Sequence, residues 1–287
     1  MNSDQITVIM TTRNRPVSLE KCLARTRSVL PKEIRIIVFD DASSEGLRVR
    51  AIVESHSNTV YLNSPTLVGP GEGRNRCLRQ ATTPFCLSLD DDCYLDAIPD
   101  LSRWQADWPE DQDIAAVGFR YCNLPAGDMA PASAVGGPAK GFHGGASLLC
   151  RKAVLNAGGY LDWLVFACED SELAKRLNRL GYRIWYDPSV TVQHDHSMEA
   201  RDERWASFYY VRNTLLMNLI HGGLITGLPI GFLRALRRGC NTVVPGQTLP
   251  GLLSGLKLAG RCYRARRDLF APERHYSASG PTKPVTT

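Results

Sequence analysis

The sequence predicts an α/β domain with a mostly parallel central sheet flanked by helices, followed by a helical C-terminal extension. Three observations predict it. Short β-branched apolar runs alternate with segments of helical period through the first half of the chain, the pattern of a sheet covered on both faces. Two of those runs end directly in acid, at Asp40-Asp41 and at Asp90-Asp91-Asp92. From about residue 200 the composition turns aromatic, leucine-rich and basic.

The elements follow in order. Ile6–Met10 reads as a strand, and Pro16 then opens a helix with Leu19, Cys22, Leu23 and Val29 at helical spacing and Pro31 as its stop. Ile34–Phe39 is almost wholly apolar, as a central strand buried on both faces must be. A helix over 47–56, a short strand at Val60–Leu62, the loop Gly69-Pro70-Gly71-Glu72-Gly73 and a helix through Arg74–Ala81 lead to the strand Phe85–Leu89. Both acidic clusters then lie beyond strand carboxyl ends, where open parallel sheets bind ligands. After the strand Ile114–Phe119, residues 123–141 are too poor in large apolar side chains to hold a core and read as a loop. Residues 144–150 form a strand, 151–157 a short helix closed by Gly158-Gly159, and Glu169-Asp170 head a helix stopped at Gly181. The strand Tyr182–Tyr186 and the extended VTVQHDHS segment end the α/β part.

Composition bounds the function. At 287 residues the chain suits one large α/β domain or two fused ones, and 44% apolar with 22% charged residues excludes disorder and fibrous repeats. The net charge of +5 is short of a nucleic-acid-binding signature, so no nucleic-acid partner is expected. Nine cysteines without a CxxC pair read as free thiols in a reducing compartment, and MNSDQITVIM has no secretion signal, so a cytoplasmic protein is expected. Leu215–Leu233 is uncharged and about long enough to cross a bilayer. Asn218, His221, four glycines and Pro229 favour instead two short helices broken near Gly222 and Pro229.

Several residue groups carry chemistry, each with a plainer alternative. Three adjacent aspartates at a strand end suit a hard divalent cation that keeps ligand positions for phosphate oxygens, or a solvated acidic turn. Asp40-Asp41 suits a nucleobase N–H acceptor or a helix cap. Arg13, Arg15 and Arg74 fall on loops facing the same sheet mouth, where guanidinium groups pair with phosphates. Asp170 at a helix start feels the positive end of the dipole, which favours the proton-accepting carboxylate and also simply stabilises a first turn. His194 and His196 lie two apart on an extended segment, so they share a face and suit a mixed Asp/His metal site or an ordinary surface.

The segments ITVIMTTRNRP, IIVFDDASSEG, GEGRNRCL and LSLDDDC are followed by GGASLLCRKAVLNAGGYLDWL, CEDSELAKRLNRLGYRIWYDPSVTVQHDHS and YYVRN. In this order they resemble the inverting nucleotide-sugar glycosyltransferases of family 2, which have the GT-A fold, a Rossmann-like sheet flanked by helices. The resemblance covers roughly residues 5–213. It implies that Thr11, Arg13 and Asp41 hold the nucleotide and that Arg74 supports the donor side. Asp90 and Asp92 would hold Mn²⁺ or Mg²⁺ with His194 or its neighbour His196, and Asp91 would lie near the ribose. Asp170 would be the base that deprotonates an acceptor hydroxyl, with Glu169 beside it. The chain departs from many members in carrying Arg13 where an aromatic or small residue is usual. On this reading residues 1–120 form the nucleotide-sugar half and 121–200 the acceptor and catalytic half of one domain. Residues 201–279 form a basic helical extension, and 280–287 a tail expected to be disordered.

Two rivals are a nucleotidyltransferase that makes nucleotide sugars and a catalytically silent sugar-nucleotide-binding module. The first usually has a glycine-rich basic loop after the first strand, which TTRNRP is not, and the intact Asp90, Asp92 and Asp170 weigh against the second. The acceptor expected is a saccharide, a lipid-linked glycan or a small molecule. Arg234, Arg237, Arg238, Lys257, Arg261, Arg264, Arg266 and Arg267 accompany leucine-rich faces, as on helices lying against the inner face of an anionic membrane, and equally on a solvated cap or an oligomer contact.

Overall fold

The computed structural model describes residues 4–95, 114–124, 127–128, 135–195, 199–200 and 202–270. His196 and the tail from residue 271 onward lie outside the described residues, so the choice between His194 and His196 is open to test only at His194. The chain divides into two compact units, Met1–Leu155 with Gly159–Asp202, and Asn156–Gly158 with Glu203–Thr287.

The first unit begins with β1 (Ile6–Thr12), α1 (Pro16–Val29), β2 (Arg35–Asp41), α2 (Gly46–Glu54), β3 (Thr59–Ser64), α3 (Pro70–Gln80) and β4 (Phe85–Asp90). It continues with β5 (Cys93–Leu95), β6 (Ile114–Leu124), β7 (Gly127–Asp128), β8 (Gly137–Ala139), β9 (Ala146–Cys150), α4 (Arg151–Asn156), α5 (Glu169–Arg179) and β10 (Arg183–Asp195). The strands form one sheet ordered β3-β2-β1-β4-β9-β6-β10-β5, with β7 on β6 and β8 on β10. β3, β2, β1 and β4 run parallel, whereas β9 is antiparallel to both β4 and β6. The sheet is therefore mixed beyond its first four strands, a direction that an apolar run such as ASLLC does not encode.

β1, β2 and β4 are buried on both faces because both are covered, while β3 at the edge is half-buried. Ile6, Val8 and Met10 of β1 alternate onto one face with Ile36 and Val38, under Leu19, Cys22 and Leu23 of α1 and Val49 and Val53 of α2. α3 covers the opposite face of β1 and β2, and Gly73 lets it approach so closely that a Cβ there would lie 2.6 Å from the Phe39 ring. Register levels the strand ends: Thr12 pairs with Asp40, and Thr11 with Asp90. The order reverses at β1, with β2 on one side and β4 on the other, so the mouth lies where β1 and β4 end.

Two expectations need correction. The loop expected over 123–141 carries strand at both sides of its undescribed part, because backbone pairing of β7 and β8 does not need large side chains. The strand at Tyr182–Tyr186 and the extended segment after it are one strand, β10, which absorbs Pro188 in a register shift between Asp187 and Thr191. β5, at three residues, has no readable periodicity.

The second unit is helical: α6 (Glu203–Gly222), a π-helical turn (Gly223–Gly227), α7 (Leu228–Cys240), a 3-10 turn (Pro245–Gln247), α8 (Thr248–Lys257) and α9 (Ala259–Leu269). The break falls at Gly222-Gly223, where Gly223 takes φ 72°, and Pro229 occupies the first turn of α7. Arg266 donates to the carbonyls of Ile220 (2.8 Å) and His221 (2.9 Å) beside that break. Glu203–Cys240 is the one run among the described residues long and apolar enough to cross a membrane, and Leu215, Leu216, Leu219 and Ile220 within it are buried.

Candidate active site

The mouth holds two carboxylate clusters, each bridged by one arginine. At the first, the Asp-rich turn after β4 faces the loop after β1. Thr12 Oγ1 donates to Asp91 Oδ2 (2.7 Å), and Arg15 donates through Nη1 to Asp91 Oδ1 (2.6 Å) and through Nη2 to Asp92 Oδ2 (2.5 Å). Burial pushes the Asp91 carboxyl up to about 7, against the pull of Arg15. Burial acts on Asp92 in the same sense, but His194 and Arg15 outweigh it and hold that carboxyl below the usual carboxylate range.

His194 reaches this cluster because β5 and β6 flank it. It pairs with Cys93 in antiparallel register and with Asn123 in parallel register. Its Nδ1 lies 2.5 Å from Asn123 Oδ1 and its ring stacks on Tyr121, which also stacks on His143. Nε2 of His194 lies 3.4 Å from Asp92 Oδ2. Asp92, Cys93 and His194 offer ligand atoms all within 4.8 Å of one another. Burial keeps the Cys93 thiol protonated, which leaves an oxygen and a nitrogen donor, a set that fits Mn²⁺ or Mg²⁺.

The second cluster joins Asp90 to the start of α5. Arg74, almost fully buried on α3, donates through Nη2 to Asp90 Oδ1 (2.5 Å), while its Nη1 lies 3.5 Å from Glu169 Oε1 and 3.6 Å from Asp170 Oδ1. Its guanidinium sits over the Tyr160 ring at 5.7 Å, and Asn75 fixes Tyr160 by accepting from its N–H and donating to its carbonyl, both at 2.8 Å. Asp170 Oδ2 accepts the Gly144 N–H (2.9 Å). Glu169 Oε2 and Asp170 Oδ1 are buried without a hydrogen-bond partner. Burial, then the Asp170 charge, raises Glu169 to about 7, and burial also raises Asp170.

Glycine makes this convergence possible. A Cβ at Gly145 would lie 2.4 Å from Asp90 Oδ2, and one at Gly144 would lie 2.3 Å from Asp170 Oδ1 and 2.8 Å from Arg74 Cζ. The backbone entering β9 thus passes against both Asp90 and Asp170, room that only a bare Cα leaves.

Asp41 acts on the same region indirectly. Its two oxygens accept the N–H groups of Val68 and Gly69, both at 2.8 Å. Gly69 (φ +90°) then lies so close to Val165 that a Cβ would come 1.8 Å from the Val165 carbonyl oxygen. Val165, Ala167 and Cys168 all take left-handed backbone, a strained entry that delivers Glu169 and Asp170 to the mouth.

Of the residues expected at the site, Asp91, Asp92 and His194 come together in one cluster and Arg74, Asp90, Glu169 and Asp170 in the other; Asp90 is engaged by Arg74 and is not in the group formed by Asp92, Cys93 and His194. Arg13 is exposed at the rim, close enough to lower Asp41 electrostatically, whereas Thr11 packs beneath α3 and leaves the hydroxyl contact to Thr12. Thr12, Asn123, Tyr121, Tyr160 and the Gly144-Gly145 pair were not legible as site residues. Their roles depend on register between strands distant in sequence.

Comparison with known proteins agrees with this fold. The profile of glycosyl transferase family 2 matches residues 7–160. A pre-mycofactocin glycosyltransferase of Mycobacterium tuberculosis (strain CDC 1551 / Oshkosh) is 26% identical over 223 residues, covering 69% of this chain and 44% of the relative, so the chain spans less than half the length of that relative. The mannosyltransferase PcManGT from Pyrobaculum calidifontis, in complex with GDP-Man and Mn²⁺, is similar in fold at a TM-score of 0.57 and 17% identity, over 96% of this chain and 88% of that one. GalNAc-T7 with UDP, GalNAc and Mn²⁺ superposes at a TM-score of 0.58 and 15% identity, over 72% and 47% of the two chains. S. aureus TarS 1-349 in complex with UDP-GlcNAc gives 0.56 and 16%, over 95% and 88%.

Proposed function

The chain belongs to glycosyl transferase family 2, and on that premise we propose that it is a metal-dependent inverting glycosyltransferase. It moves a hexosyl or deoxyhexosyl group from a nucleoside-diphosphate sugar to an acceptor hydroxyl. The observation that carries this reading is the Arg74 bridge, which ties the donor-side Asp90 to Glu169 and Asp170 across the Gly144-Gly145 gap.

Asp90, Asp92 and His194 would hold Mn²⁺ or Mg²⁺, which when bound offsets the charge developing on the departing diphosphate. Arg15 and Thr12 keep Asp91 and Asp92 fixed before the donor arrives, so little reorganisation is left for the reaction. Arg13, at the rim, supplies a cation for the nucleotide. Asp41 orders the 68–69 loop and, through it, the entry to α5.

Asp170 is the base in this proposal. Oδ2 accepts the Gly144 N–H and the side chain is 24% exposed, so the carboxylate is held in place at the mouth to take the proton of the acceptor hydroxyl. The acceptor oxygen forms its bond to the anomeric carbon as the bond to the diphosphate oxygen breaks on the opposite face, inverting that centre. Glu169 and Arg74 position Asp170 and set its charge.

A thermal-shift panel of UDP, dTDP and GDP sugars with and without Mn²⁺ tests the reading, because a ligand that binds only the folded state raises its melting temperature. A metal-dependent rise with one nucleotide class is expected. Asp92→Ala is expected to lose the metal-dependent part, and Asp170→Asn to bind the donor yet fail to transfer. An active Asp170→Asn enzyme would refute the assigned base.

A further inference from the structure

In α7 and along one face of α8, small residues are buried and large apolar ones exposed, the reverse of a solvated helix. The buried stripe of α7 consists of Gly231, Ala235 and Gly239, continuing from Gly227 at four-residue spacing. A Cβ at Gly231 would lie 2.8 Å from Asn218 Cβ and 3.1 Å from the Leu215 carbonyl oxygen, so α7 is pressed against α6 through bare backbone. Its large apolar residues point outward: Phe232, Leu233 and Leu236 are 40%, 66% and 41% exposed, and Leu224 and Ile225 in the preceding π turn reach 52% and 91%. α8 repeats the inversion. Gly251 and Gly255 pack on Phe208, Val211, Arg212 and Leu215 of α6, while Leu249, Leu253 and Leu256 are exposed.

Pro229, Phe232, Leu233, Leu236 and Cys240 follow one another at i, i+3, i+4, i+7 and i+11, a continuous outward arc along α7. Arg234, Arg237 and Arg238 form a parallel stripe on its flank. Arg234 is anchored on Asn218 and Arg238 on the Tyr210 ring, which fixes that stripe in place. Between residues 228 and 270 the chain carries Arg234, Arg237, Arg238, Lys257, Arg261, Arg264, Arg266 and Arg267 against a single acid, Asp268. Residues 271–287 offer only Tyr276 and Val285 as large apolar side chains, too few to cover the leucines.

We propose that the outer face of α7 and α8 is a docking surface for an anionic lipid bilayer, with the leucine arc at the acyl boundary and the basic stripe among the headgroups. The charge selects this occupant. A second copy docked through this face would add a like-charged stripe to Arg234, Arg237 and Arg238, whereas an anionic leaflet complements them. The inference is independent of the reaction assigned above, since its readout is lipid binding.

The test is flotation of the full chain with phosphatidylcholine vesicles, and with vesicles carrying about one phosphatidylglycerol in three lipids. Binding is expected to the anionic vesicles, to weaken with salt, and to fall about fivefold or more for Arg237→Glu, since each basic residue near such a surface contributes roughly that factor. Leu233→Gln with Leu236→Gln should abolish it, while the melting temperature and any nucleotide-induced shift persist. Phe232→Trp, a conservative change, should show a blue-shifted emission on anionic vesicles. Equal binding to both vesicle types, an unshifted Trp emission, or a dimer in sedimentation that the leucine variants dissociate would overturn the proposal.

Discussion

Gly144→Ala changes no charged or polar group, yet it should disable the proposed base. The added methyl would lie 2.3 Å from Asp170 Oδ1, 2.7 Å from Oδ2 and 2.8 Å from Arg74 Cζ. To regain an ordinary contact of about 3.4 Å, Asp170 must withdraw by about 1 Å, and a misplacement of that size costs on the order of 10²-fold in rate. No φ penalty is added, because Gly144 is not among the positive-φ glycines. Overpacking of a tight site costs about 1–3 kcal/mol, so the variant should fold with a lowered melting temperature. The assay is nucleoside-diphosphate release from the donor sugar selected by thermal shift, measured alongside donor affinity. The expected result is turnover reduced about a hundredfold with donor affinity within about threefold of wild type. A folded Gly144→Ala protein with turnover close to wild type would refute the placement of Asp170 against the reacting hydroxyl.

Other consequences can be measured separately. The acid limb of turnover should lie above the ordinary carboxylate range, because burial raises Asp170; turnover rises with pH as the carboxyl loses its proton, and a limb at about pH 4 or below would contradict it. Glu169 also binds its proton more tightly in the folded state, so its contribution favours folding below the unfolded value and is lost between about 4.5 and about 7. Urea unfolding of wild type and Glu169→Gln should therefore diverge, with wild type losing stability relative to the variant from pH 5 to pH 8, on the order of 3 kcal/mol. Arg74→Lys keeps a cation but cannot reach Asp90 and Glu169 together, so turnover should fall more than about tenfold while metal-dependent donor binding persists. Asp41→Asn turns one amide acceptor into a donor facing an N–H, which should cost about 1–3 kcal/mol in urea unfolding.

Much of the first unit was legible because β1, β2 and β4 are buried on both faces, so the apolar runs Ile6–Met10, Ile34–Phe39 and Phe85–Leu89 mark strands, and the acids that follow the last two mark the rim they reach. The acids at the mouth were legible as residue types at strand and helix ends. Their partners were not. Asn123 meets His194 only because β6 and β10 are in register, and Thr12 meets Asp91 only because β1 lies beside β4. Gly144-Gly145 read as the start of a strand; their purpose is a clearance of a few ångströms between acids that are 80 positions apart in the chain, Asp90 and Asp170. Asp41 illustrates the opposite case: a capping residue by local chemistry, it holds a loop 27 residues onward. The helical unit reads as amphipathic from sequence, but which face is buried depended on glycines that pack as tightly as leucines usually do.

The central claim is that Asp90, Asp92 and His194 take a divalent cation with a nucleoside diphosphate while Asp170 stands across the anomeric centre. A crystal soaked with Mn²⁺ and the nucleotide chosen by thermal shift, measured for anomalous scattering at the manganese edge, tests it most directly. The account predicts one strong peak within bonding distance of Asp92 and His194, the diphosphate beside it, and Asp170 facing the sugar position. A peak elsewhere, or a nucleotide bound with those side chains unengaged and Asp170 turned away, would contradict it.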